Sequence, residues 1–575
     1  MAMDESIASH PEHNRSNAYE SVDEHEFLTE ISISSHTELG KAESSITVPK
    51  QRAYRNNGPV ILSSLANTSC ATFTIHGLLN QLNTTLGTSY TLEKPSISSL
   101  LEDCIVNIPD FGTVYGRLRP VWFTDDWHAI TGELSTRERE DREMRQRALV
   151  GNQIVTTKIP TRRVWDLYSN RVVPSWVTYR SPVPISHAWM NEKDRVDVWT
   201  PINGYEWPVP IPKDTNLDLI RIEMLNLGAE YTWLDVLCLR QKGGRREDLR
   251  AEEWTLDVPT IGNVYHDNTV VCYLSGLGRP LTLMAGDLES DRCWFRRAWT
   301  LQEIGVKRII AGDTPDGPLH TKMIEEGHSH REEILTKFHA HLRSLEDISM
   351  HSFAIFDVLA NMQHRVSTNP VDKVAGLAFL LRSHPIPAYY ENQSLEDAWT
   401  ALVDTMHARF RADLFFLYPE PGNGCKKWRP SWDQIMMNSL PADAYIDVRV
   451  YKGEADIDWF YGIRIENGFV LGLAAGSTEG VDRYGELVVK DTDGGMTHVF
   501  KIATSHPHPI PEDRYTLIGS NTLVRGVGEY WVIGRMTPEH LRFEKVSVLR
   551  ITDYQERERL NNLGIANDRV KSHLL

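Results

Sequence analysis

Glu303 stands four residues after Trp299 in the run Trp299-Thr300-Leu301-Gln302-Glu303. On a helix over Ser290 to Val306, that spacing puts an indole and a carboxylate on one face, where they could present together to a ligand. Glu303 also stands four residues before Lys307, the favourable order for a surface ion pair worth ~0.2–0.5 kcal/mol. Asp235 lies in the apolar run Tyr231 to Leu239, where an unpaired carboxylate is costly. It is either catalytic or a buried acceptor, with Arg296 and Arg297 as candidate partners, and either arginine could instead meet a phosphate.

A nucleophile pair of Cys238 with His187 is a weaker candidate. On one strand Asp235 and Cys238 would point to opposite faces and could not serve one triad, so Cys238 reads first as a core residue. Trp233, Trp294 and Trp299 read first as core aromatics, with ligand stacking a second role for Trp299. His328, His330, His339 and His341 are the densest histidine group, but a spacing of two on a helix turns rings apart, so no metal site is expected. Gly243-Gly244-Arg245-Arg246 lacks the phosphate-loop pattern and reads as a surface loop.

The elements that must position these groups can be read from apolar patterning. Val183-Pro184-Ile185, Tyr231 to Leu239, Thr269 to Leu274 and Arg308 to Ala311 are nearly continuous in apolar residues, as strands buried on both faces are. Leu217, Ile220, Met224 and Leu227 share one helix face, Gly228 ends that helix, and Pro259 breaks any helix near it. Strands and helices alternating in this way predict an α/β fold with a parallel sheet and right-handed crossovers. Ligands in such sheets sit beyond the carboxyl ends of the strands. The loops there carry Ser186, His187, Arg240, Gln241 and Ser275.

Around this α/β domain, set at residues 158–320, the sequence predicts four other segments. Residues 1–55 are a polar, acidic tail expected to be disordered. Residues 56–157 form a mixed region ending in a charged helix that opens on a Ser135-x-x-Glu138 capping box. Residues 321–435 are mainly helical. Residues 436–575 form an antiparallel β-rich module, with a period of two from Tyr445 and hairpin signals at Asn467-Gly468 and Asp493-Gly494.

The 575 residues exceed one core, and 41% hydrophobic with 24% charged residues is ordinary for folded domains. A formal net charge of -17 opposes unspecific binding to nucleic acid or anionic membrane. Six scattered cysteines without a C-x-x-C pair argue against a disulfide framework or structural zinc. No charged-then-apolar leader pattern or long apolar stretch is seen, so a cytoplasmic protein without a membrane span is expected.

Three segments resemble, in order, the sequence blocks of the fungal heterokaryon-incompatibility (HET) domain family: Ile185-Ser186-His187-Ala188-Trp189, Trp233 to Gln241, and Trp294 to Glu303. Arg365 with Asp372 to Leu377, and Trp428 to Trp432, are similar to segments that follow the domain. Met190 stands where the family usually has glycine, and Leu239-Arg240 where it has Ile-Asn. The family has been likened to TIR domains, some of which cleave NAD with a helix-borne glutamate, and that likeness points at Glu303 alone. The resemblance implies a TIR/flavodoxin-like parallel sheet. It also implies a role in non-self recognition and regulated cell death, with NAD as substrate and no resident cofactor. An indole wall with a carboxylate suits a ribosyl-nicotinamide, whose cleavage builds an oxocarbenium-like ribose. The competing expectation is a non-enzymatic adaptor that self-associates through the α/β domain and binds a partner protein.

Overall fold

The computed structural model describes residues 59–93, 95–124, 126–178, 180–279, 286–312, 336–338, 340–344, 354–442, 444, 446–478, 480–490, 495–520, 529–537, 542–566 and 569–575. The predicted tail, His328, His330, His339, Tyr445 and the Asp493-Gly494 turn lie outside the described residues.

The chain's first core is helical. Helices Ile75–Leu86, Pro95–Asn107 and Phe111–Leu118 bury Leu79, Leu82, Leu101, Phe111 and Trp122 in a cluster of their own. Helix Trp127–Ala148 follows and is 22 residues long, so Ser135 lies inside it rather than at its start, and the predicted capping box does not form there.

A six-stranded sheet positions the candidate site. Its strands are β1 (Arg163–Asp166), β2 (Arg171–Pro174), β3 (Val183–His187), β4 (Tyr231–Trp233), β5 (Thr269–Tyr273) and β6 (Lys307–Ile310). They lie in the order β6-β5-β3-β4-β1-β2. The predicted parallel sheet holds for β6, β5, β3 and β4, whereas β1 pairs antiparallel with both β4 and β2. The sheet is therefore mixed, with a hairpin at one edge. Apolar runs did mark β3, β5 and β6, because parallel strands covered on both faces need apolar residues at every position. Helix Leu217–Asn226 packs its predicted face in the core and ends before Gly228, whose φ of 77° suits glycine. Helix Glu247–Asp257 stops short of Pro259, as expected.

Two local predictions fail for physical reasons. The run Tyr231 to Leu239 is strand only through Trp233; Asp235–Cys238 forms a helical turn in which Asp235 Oδ1 accepts from Val236 N at 2.7 Å. Asp235 and Cys238 thus lie on one helical turn, not on opposite strand faces. Ser290 to Val306 is not one helix but two 3₁₀ turns, Trp294–Arg296 and Trp299–Leu301. One long-range and one local partner replace the helical ladder there. Ala298 N donates to Val366 O at 2.9 Å, and Thr300 Oγ1 donates to Trp294 O at 2.6 Å.

Helices Ile355–Gln363, Leu395–Thr405, Ala408–Phe416 and Trp432–Met437 make the next region mainly helical where it is described. Their Phe356, Leu359, Trp399 and Phe415 share one continuous core with the mixed sheet. A boundary at residue 320 or 435 therefore divides the chain but not the packing.

The C-terminal module is antiparallel except where Arg569–Leu574 runs parallel beside Arg542–Ile551, and it closes on itself. Strand Asp458–Leu471 pairs with Arg483–Lys490 at one side and Asp513–Gly519 at the other. The remaining pairings run through Thr497–Thr504, Arg542–Ile551 and Glu529–Met536, completing a ring. Its interior holds Leu487, Phe500, Leu517, Trp531 and Leu549. Closure removes free sheet edges that would otherwise template other strands. Asn467-Gly468 is not a hairpin turn: the strand continues through it with a register shift between Ile465 and Gly468, and Asn467 takes φ 58°. A bulge and a tight turn both recruit Asn-Gly for its left-handed backbone, so the dipeptide does not separate them. Among the described residues no helix is long and apolar enough to cross a membrane.

Gly305 joins the Glu303 segment to β6 at φ 65°, and an added Cβ would strike the Val270 side chain and come within 2.7 Å of Asn268 O. Gly305→Ala should destabilise the fold by about 2–3 kcal/mol, combining left-handed strain with a backbone clash. Equilibrium urea unfolding checks this, and an unchanged midpoint would contradict it.

Candidate functional site

Ser186 and His187 are the last two residues of β3, and successive strand residues face opposite sides of the sheet. Each meets a carboxylate there. Ser186 Oγ donates to Glu303 Oε2 at 2.5 Å and accepts from Trp294 Nε1 at 2.7 Å. His187 Nε2 meets Asp235 Oδ1 at 2.8 Å, and Trp189 Nε1 donates to Asp235 Oδ2 at 2.8 Å. One strand end thus organises two acid clusters, both assembled from the segments quoted above.

Glu303 is 9% exposed. Burial raises its pKa to about 7, the nearby Asp235 charge adds to this, and the Ser186 hydrogen bond works against it. A carboxyl of this kind is divided between its two protonation states near neutrality. Lys307 is exposed at the start of β6, and among the described residues no ion pair joins it to Glu303. The surface-pair expectation is overturned because the 3₁₀ turns aim Glu303 inward at Ser186.

The Asp235–His187 pair behaves in the opposite way. Burial disfavours the charged imidazole, yet the Asp235 carboxylate overcomes this and holds the His187 pKa above its usual value. Burial likewise pushes Asp235 up, but His187, Trp189 and the Val236 N–H together hold its pKa below the usual value. Arg296 and Arg297 are not its partners. Arg296 pairs with Asp291 at 3.3 Å, and Arg297 donates to Thr368 Oγ1 at 3.3 Å.

The other expected site residues have mainly internal partners. Arg240 bonds to Glu206 at 2.9 Å, sits 3.4 Å from Glu253 and lies over the Trp207 ring. Gln241 donates to Leu239 O at 2.9 Å. These two shape the β4 loop. Ser275 is half-buried after β5. Trp299 bonds to Asp372, whose carboxyl also accepts from Tyr389 Oη at 2.8 Å and is pushed up to about 6 by burial. The indole joined to Glu303 through Ser186 is therefore that of Trp294, not Trp299. Cys238 is buried and its thiol is pushed up to about 12 by burial, which suits a core residue and not a nucleophile. His341 stacks on Phe295 at 5.1 Å, and among the described residues no histidine, cysteine or acidic group forms a metal cluster.

Sequence reasoning missed three roles. Trp294 and Trp189 were visible only as aromatics, and their indole N–H groups matter once the fold aims them at Ser186 and Asp235. Arg365 was noted only as part of a following segment. It is buried under the 3₁₀ turns, where Nη1 donates to Arg297 O at 2.6 Å and Thr300 Oγ1 at 2.8 Å. Burial lowers its pKa to about 9, and its charge favours an ionised Glu303. No family model, curated protein or solved structure matches this chain.

Proposed function

We propose that residues 158–320 act as a HET-type, TIR-like domain, and that the chain works in the cytoplasm in fungal non-self recognition and regulated cell death by cleaving NAD at Glu303. The observation that carries this reading is the inward placement of Glu303, hydrogen-bonded to Ser186 at the carboxyl end of β3 beside the Trp294 indole. In the reaction the bond between nicotinamide nitrogen and ribose C1′ breaks, and its electron pair leaves with nicotinamide. The ionised Glu303 stabilises the positive charge left on the ribose. Water adds to C1′ and gives up a proton, yielding ADP-ribose, nicotinamide and H⁺.

The 9% exposure of Glu303 and the internal pairing of Arg240 and Gln241 favour a second reading. In it the domain is a filled adaptor that self-associates, and the barrel binds a protein partner.

Nicotinamide release by the full chain, at high concentration and under crowding, separates the two. Glu303→Gln should abolish turnover in a folded protein, and Lys307→Ala should leave it within about twofold, since Lys307 is an exposed side chain with no ion pair to Glu303 among the described residues. Absence of turnover in every assembled form would select the adaptor.

A further inference from the structure

Gln302 precedes Glu303 and is 4% exposed, yet neither Nε2 nor Oε1 of its amide meets a hydrogen-bond partner. Its backbone is anchored, with Gln302 N donating to Trp299 O at 3.1 Å. Several polar groups near it in the chain and on the neighbouring strand end are already engaged. Thr300 Oγ1 bonds to Trp294 O and Arg297 O, Ser186 bonds to Glu303 and Trp294, and Arg365 bonds to Arg297 O. Folded proteins keep few buried polar atoms unmet, because each forfeits its bonds to water without compensation. Methionine would fill nearly the same volume without either unmet group. The amide therefore calls for a ligand that brings one donor and one acceptor together.

We propose that the Gln302 side chain is the specificity determinant for a primary carboxamide, recognising the nicotinamide end of the substrate by a two-point amide–amide pair. The inference rests on the reading of Glu303 as the cleaving carboxylate and adds the group that selects the ring. A carboxamide supplies an N–H to Oε1 and a carbonyl to Nε2. Nicotinate offers two acceptors and a negative charge beside Glu303, and pyridine offers the amide nothing. A site built to pair with a polar group discriminates strongly against ligands that lack it.

The test is binding of nicotinamide, nicotinate and pyridine to the full chain by calorimetry and by thermal shift, in the wild type, Gln302→Met and Glu303→Gln. Nicotinamide should bind wild type at least about tenfold more tightly than either analogue, as loss of a paired polar contact implies. Gln302→Met should lose that preference while unfolding at the same or a higher temperature, because it removes two unmet buried groups. Equal binding of pyridine, retained preference in Gln302→Met, or no nicotinamide binding by wild type would overturn the inference. So would early unfolding of Gln302→Met, which would mark the amide as structural. Carboxamide preference without NAD turnover would refute the cleavage reading alone, and turnover without preference would refute this inference alone.

Discussion

Glu303→Gln is expected to make the folded chain more stable at pH 8 than the parent, with little difference at pH 5. Its carboxyl has an ordinary pKa of 4.5 and a folded value of about 7. Because the folded value is the higher one, the group contributes stability that is fully present below about pH 4.5 and is lost as pH rises through about 7. Above that range the wild type holds a charged carboxylate in a buried place, and glutamine does not. The shift corresponds to about 3 kcal/mol at most, and the measured quantity is the difference between the variant's effects at the two pH values. Taking that difference cancels packing changes that do not depend on pH. Urea unfolding at pH 5 and pH 8 reads it, and a variant equally affected at both would show that Glu303 does not titrate near neutrality. A stabilising change at a group needed for chemistry is the usual trade between stability and activity.

Asp235→Asn should act with the opposite sign and comparable size. It leaves His187 buried without its counter-charge and weakens what Trp189 Nε1 and Val236 N donate to. Breaking one side of a buried pair costs about 3 kcal/mol. The pH window follows from the two directions. His187 is raised above 6.5, so its contribution is complete below that value and fades as pH rises through the folded pKa. Asp235 is held below 3.8, so its contribution is present above that value and lost in stronger acid. The loss on mutation should therefore be greatest between about pH 4 and 6.5 and smaller at pH 9, the window these two shifts define. A loss that grows towards pH 9 would mean that the pair is not charged in the fold.

Strands β3, β5 and β6 and the face of helix Leu217–Asn226 were legible because burial on both sides, or on one helical stripe, writes itself into apolar spacing, whereas the antiparallel edge hairpin β1-β2 was not marked. Glu303, Ser186 and His187 were legible as candidates from their segments, but the place of Asp235 beside His187 and the pairing of the four were not. Which carboxylate meets which β3 residue depends on where Asp235 starts its helical turn and on how Val366 and Arg365 hold the 294–303 segment in 3₁₀ form. Those contacts join residues roughly seventy apart in the chain, and a helical spacing argument sees only neighbours. The same reasoning explains Trp299. The i,i+4 rule placed it beside Glu303, and once the helix is replaced by tighter turns the rule no longer applies, so Asp372 takes the indole instead. Barrel closure was hidden for a related cause: alternation reports that strands have two faces, not that Asp458–Leu471 pairs with Asp513–Gly519 or Thr497–Thr504 with Arg542–Ile551.

The most direct test of the account is the pH dependence of nicotinamide release from NAD by the full chain between pH 5.5 and 8.5. Cleavage by an ionised Glu303 predicts a rate that rises with pH through about 7. Ser186→Ala should move that rise to higher pH, because it removes the hydrogen bond that favours the charged carboxylate. A rate that is flat across this range, or that falls as pH rises, would contradict the assignment of Glu303 as the charged group that cleaves the bond.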